Sequence, residues 1–160
     1  MKLRDIVVEK AILPVLSASN RDAAIAELLD ALVAAKAVSP HDREDYLKSI
    51  IKREKRGSTG FGHGVAVPHV KHTGIKNMAI AIGISPEGVE FNALDKQPVH
   101  CIFLLLSPED RPEDHLDAME AIFGNLSQET FRRFLRQAAT VKDVMTLLDE
   151  ADARTSIGPR

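Results

Sequence analysis

Two apolar runs, "NMAIAIGI" (residues 77–84) and "VHCIFLLL" (residues 99–106), constrain the fold of this chain more than any other feature. A strand with one wet face alternates apolar and polar residues, and these runs do not alternate. They read as strands covered on both faces, and each is far shorter than the roughly 20 apolar residues of a membrane helix. The covering layers are also visible. "NRDAAIAELLDALVAAK" places Ile25, Leu28, Leu29, Leu32 and Val33 on one helical face, with Asn20 as N-cap. A second helix opens at "SPHD", with Ser39 as N-cap, Pro40 in the first position and Asp42 as a capping-box variant. Tyr46, Leu47, Ile50 and Ile51 form its stripe, and Gly57 ends it.

The last third repeats the helical period. Leu116, Met119, Ile122, Phe123 and Leu126 form one set, Phe131, Phe134 and Leu135 a second, and Val144, Leu147 and Leu148 a third behind a Thr140 cap. "AILPVL" (residues 11–16) reads as a strand that Pro14 confines to a sheet edge, and Val89 to Phe91 as a short strand inside a turn-rich stretch. The expected architecture is a single α/β domain over residues 1–150, with a central mixed β-sheet flanked by helices, and a frayed tail over residues 151–160.

Composition excludes several functions. Among 160 residues, 21 basic side chains face 23 acidic ones, and aromatics amount to 4%, so neither charge nor stacking surface favours nucleic acid. Lys2, Arg4, Asp5, Glu9 and Lys10 break up any signal-peptide core, which predicts a cytoplasmic chain without membrane insertion. The single cysteine, Cys101, lies within an apolar run and reads as a small core side chain.

Between the second helix and the first apolar run lies "GSTGFGHGVAVPH" (residues 57–69). Glycines gather where backbone takes positive φ or approaches a ligand, and consecutive amides can form an anion-binding nest. The phosphate-loop pattern fails because Gly64-Val65 stands where Gly-Lys is needed, and the dinucleotide fingerprint fails because Val65 replaces its third glycine. No cofactor motif remains. A tight helix-to-strand connection would account for the glycines equally well. His69 changes the balance, since a neutral imidazole offers one nucleophilic nitrogen while the other is held by a hydrogen bond. Pro68 has a fixed φ and keeps Val67 extended, so His69 emerges from a stiff strand end. Arg53, on the helix before the loop, and His115, after the second apolar run, can join it. A guanidinium offsets phosphoryl charge, and an imidazole donates to a phosphoryl oxygen.

"KREKRGSTGFGHGVAVPH", together with "FNALDKQPV" and the "HL" of a later helix, resembles the fructose/mannitol-type IIA domains of the bacterial phosphoenolpyruvate-dependent phosphotransferase system. Within that family the resemblance is strongest to the free-standing nitrogen-regulatory members. It implies that His69 is phosphorylated by the phosphohistidine of an HPr-like carrier, that Arg53 is the site arginine and that His115 contacts the phosphoryl group. Ser58, Thr59, Gly60, Gly62 and Gly64 are the candidate phosphate contacts. The partner receiving the group is then a regulatory target or a separate IIB transport protein.

His63, Val70 and His72 depart from the family pattern and leave three histidines in "HGVAVPHVKH". A zinc site built on His63, His69 and His72 is therefore an alternative, although His69 and His72 would point to opposite faces of a strand. An interaction module that retains the fold without transferring phosphate is another. His41 and His100 read as a turn residue and a strand residue.

Overall fold

The computed structural model describes residues 1–157. A short helix, α1 (Leu3–Ile6), runs directly into β1 (Val7–Leu13), followed by α2 (Arg21–Ala34), a 3-10 turn at Pro40–Asp42 and α3 (Arg43–Arg56). Three short strands come next, β2 (Gly60–Gly62), β3 (Val65–Ala66) and β4 (His69–His72), then the long strands β5 (Ala79–Val89) and β6 (Val99–Pro108). The chain closes with α4 (Pro112–Leu126), α5 (Glu129–Gln137) and α6 (Val141–Ile157).

The sheet is mixed, in the order β1-β5-β6-β3-β2, with β4 also paired to β6. β5 and β6 are antiparallel, whereas β1 runs parallel to β5, and β3 and β4 run parallel to β6. β6 explains why its sequence does not alternate. Its Cys101, Phe103 and Leu105 pack among residues of α4, α5 and α6, while Ile102, Leu104 and Leu106 pack among those of α2 and α3. Burying each large side chain in either layer contributes about 1.5–3 kcal/mol relative to exposure. Burial also pushes the Cys101 thiol up to about 12, so it packs as a small neutral group.

Local signals fix the helix starts. The Asn20 side chain accepts from the Ala23 amide at 2.9 Å, and the Thr140 hydroxyl accepts from Asp143 N at 3.1 Å. Ser39 caps the 3-10 turn through His41 N, but Asp42 makes no capping bond, so the expected capping box is replaced by that turn.

Other expectations are corrected. The first strand starts earlier, at Val7, because its pairing with β5 begins there, and it does lie at the sheet edge. The strand expected at Val89 to Phe91 is the far end of β5, which reaches Val89 across an irregularity in its pairing with β6. Leu116 and Phe134 share the helical period but are exposed. The tail expected from Ala151 is helical through Ile157, since the Asp152 carboxylate accepts from the Leu3 and Arg4 amides and ties α6 to α1; residues 158–160 lie outside the described residues.

Candidate functional site

Pro68 divides one long pairing into two. β3 pairs Val65 with Cys101 and Ala66 with Ile102, and β4 resumes with His69 opposite Leu105 and His72 opposite Pro108. Facing residues of parallel neighbours share a side of the sheet, so His69 lies on the Leu105 face, toward α4, and Lys71 lies with Ser107 on that same face. The period of two sends His72 to the other face. There its Nε2 meets the Asp45 carboxylate at 2.8 Å and its ring tilts against Tyr46 with centroids 4.9 Å apart.

His69 is half-buried, and its Nδ1 donates to the Val67 carbonyl at 2.8 Å. A carbonyl can only accept, so the proton is fixed on Nδ1 and the lone pair on Nε2 is left free. Burial lowers the basicity of His69, the nearby charges of Arg53 and Lys71 lower it further, and the Val67 bond opposes them. The ring is therefore neutral and nucleophilic near neutral pH.

His115, in the first turn of α4, is 7% exposed, with its ring centroid 5.5 Å from that of His69. Its Nδ1 lies 2.8 Å from the fully buried Ser107 hydroxyl. Burial, then the charges of His69 and Lys71, pull its pKa down to about 4, so this ring is neutral as well. When Ser107 donates to Nδ1, the proton of His115 resides on Nε2, ready to donate.

Arg53, in the last turn of α3, donates to the Gly57 carbonyl at 3.0 Å, which turns its guanidinium toward the glycine segment. The neighbouring Glu54 stands in the charged run "KREKR", where residue type gives no sign of burial. It is 2% exposed, and its carboxylate accepts from Thr59 N at 3.1 Å and from the Thr59 hydroxyl. Burial raises its pKa against those bonds. Glu54 thus pins the loop that follows Arg53. Its signal in the sequence was position, four residues after the buried Ile50 on one helical stripe.

The glycine candidates separate in space. β2 and β3 form a hairpin with Gly62 opposite Val65, turning through His63 and Gly64 at φ of 60° and 75°. Positive φ at both central residues is the hairpin-type turn, and it is the reason for glycine there. Gly60 pairs with Ala66, and Thr59 and Ser58 precede it at the start of the loop, between the Glu54 carboxylate that holds Thr59 and the first residue of β2. Gly62 and Gly64 lie at the other end. The Gly64 carbonyl accepts from His100 N, and from His100 to Leu105, the partner of His69, β6 runs about 16 Å at roughly 3.3 Å per residue. Ser58 accepts from Gly60 N at 3.0 Å, so its hydroxyl also shapes the loop.

The three histidines of "HGVAVPHVKH" therefore do not converge, and among the described residues no group of three or more His, Cys, Asp or Glu is placed to hold a metal ion. Nor is any described helix long and apolar enough to cross a membrane.

Comparison with known proteins points the same way. The model of the family described as phosphoenolpyruvate-dependent sugar phosphotransferase system, EIIA 2, matches residues 5–151. A nitrogen regulatory protein of Bradyrhizobium diazoefficiens is 32% identical over 148 residues, which cover 92% of this chain and 95% of that protein. The fructose-specific EIIABC component of Bacillus subtilis is 31% identical over 152 residues, 95% of this chain, and the chain spans 24% of that protein's length. Among solved structures, the nitrogen regulatory protein IIA-Ntr of Neisseria meningitidis is similar with a TM-score of 0.81 and 31% identity, covering 90% of this chain and 97% of that one.

Proposed function

This chain belongs to the EIIA type 2 family of the phosphoenolpyruvate-dependent sugar phosphotransferase system, and from that premise we propose that it carries a phosphoryl group on Nε2 of His69, received from the phosphohistidine of an HPr-like protein. The observation that carries this reading is the 2.8 Å bond from His69 Nδ1 to the Val67 carbonyl, which leaves Nε2 as the free nucleophile.

The transfer is a displacement at phosphorus. The lone pair of His69 Nε2 forms the new N–P bond as the carrier's N–P bond breaks, and its electron pair leaves with the carrier imidazole. The proton on His69 Nδ1 stays in place, so the phosphorylated ring is an imidazolium whose charge the Val67 carbonyl supports. When the group moves on, the ring departs as neutral imidazole, and no proton need be shuttled. His115 Nε2–H is the donor to a phosphoryl oxygen, and Arg53 offsets the charge from the α3 side. Thr59, Ser58 and Gly60, at the start of the loop that follows Arg53 and is held by Glu54, are the proposed phosphate contacts; Gly62 and Gly64 serve the hairpin.

The likeness to nitrogen regulatory proteins along nearly their whole length supports a regulatory recipient. The fructose-specific relative, named for A, B and C components, supports a IIB protein as the second candidate. The test is intact-mass analysis after incubation with phosphoenolpyruvate, enzyme I and an HPr-type carrier at alkaline pH. One added phosphoryl group in the wild type and none in His69→Ala is the expected result. Retained labelling of His69→Ala, or no labelling of the wild type, would overturn the assignment.

A further inference from the structure

At the opposite end of β6 from His69 lies a cleft that the phosphoryl site does not use. Its volume is about 570 Å³, within the range of roughly 300–1,000 Å³ typical of small-molecule sites. One wall is α5, which contributes Arg132, Arg133 and Arg136. The opposite wall is the turn of the β2–β3 hairpin with His63, together with His100 of β6, over a floor of Val65 and Cys101.

The arginines of this cleft are not ion-paired. Arg4, Arg21 and Arg43 each pair with a carboxylate, but none of Arg132, Arg133 and Arg136 has one within ion-pair distance among the described residues. Arg132 donates to the Leu126 carbonyl, Arg133 lies over the Phe134 ring, and Arg136 donates to His100 Nε2 at 3.0 Å. The only carboxylate in the lining is Glu129.

His100 gives the cleft a fixed centre. Its Nδ1 donates to the Ser85 carbonyl at 2.7 Å and its Nε2 accepts from Arg136, holding the guanidinium without consuming its charge. Gly88 makes room for that ring, since a Cβ there would sit 3.2 Å from His100 Cε1 and 2.8 Å from Pro98 Cβ, and Gly64 lies against its other edge, where a Cβ would be in ordinary contact 3.6 Å from Cδ2. Both glycines have positive φ, at 96° and 75°. A slotted imidazole that positions an unpaired guanidinium, with two more guanidiniums beside it, is a preorganised receptor for a phosphate group, because the planar fork matches phosphate oxygens in pairs. The apolar floor suits the organic part of such a ligand.

We propose that this cleft is a second anion site, separate from His69, that binds a phosphate-bearing small molecule of up to nucleotide size. The test is a ¹H–¹⁵N NMR titration of the intact chain with inorganic phosphate, pyrophosphate, ribose 5-phosphate and adenosine monophosphate in turn. At least one of them should give saturable shifts at the amides of Gly64, His100 and Cys101. Replacing both exposed arginines, Arg133→Gln with Arg136→Gln, should weaken that binding about tenfold or more, the size of one lost charge-assisted hydrogen bond, while phosphorylation by the carrier is unchanged. Glu129→Gln should tighten it, a gain that no loss of folding can produce. Shifts confined to the surroundings of His69 and His115, binding indifferent to both arginines, or no response to any of the four probes would overturn the proposal.

Discussion

Which nitrogen of each imidazole holds a proton decides what His69 and His115 can do. The two rings lie 5.5 Å apart, and both are depressed chiefly by burial, so neither is cationic where the protein works. An imidazole titration followed by NMR should show His115 protonating only near pH 4 and His69 below the ordinary histidine value of about 6.5. Stability follows from linkage. The unfolded chain binds these protons first as pH falls, so the contribution of the neutral rings is complete above about pH 6.5 and is lost as pH drops from there toward 4. The measurement is the stability difference between wild type and His115→Gln across that window. It should narrow on acidification, and a difference that is constant with pH would remove the burial argument.

Short elements do most of the positioning. The β2–β3 hairpin and the broken β3–β4 strand are anchored by close backbone approach, and Gly60 shows how tightly, since a Cβ there would meet Ala93 Cβ at 2.9 Å. Gly60→Ala should therefore cost about 1–3 kcal/mol in a denaturation experiment, the range for overpacking a filled site. A cost near zero would mean that the 91–95 loop yields. The long elements of this fold were legible in the sequence, because β5, β6, α2 and the C-terminal helices each carry an unbroken period or apolar run. The site was legible where backbone chemistry is written in residue type, as at Pro68-His69. Long-range geometry was not. Nothing in "KREKR" shows that Glu54 is buried beneath Thr59, and nothing in the glycine spacing shows that Gly62 and Gly64 face away from His69. Leu116 and Phe134 failed for a related reason, since a helical period gives a face but not the width of the stripe that is covered.

On the scale of the molecule, the sheet carries the His69 site at one end of β6 and the basic cleft at the other. The two core layers clamp β6 from either side, and the bonds from the Leu3 and Arg4 amides to Asp152 tie α1 to α6. This frame lets a strand end present a ring nitrogen in one orientation while Arg53 approaches from α3 and His115 from α4. The basic cleft is carried by the same strand about 16 Å away, beyond contact with the His69 ring. The most direct measurement of the central claim is ¹⁵N and ³¹P NMR of the phosphorylated protein with labelled histidine, which reads the nitrogen that bears phosphorus. A phosphoryl group on Nε2 of His69 with the proton retained on Nδ1 is the expected result. Phosphorus on Nδ1, or on any histidine other than His69, would contradict it.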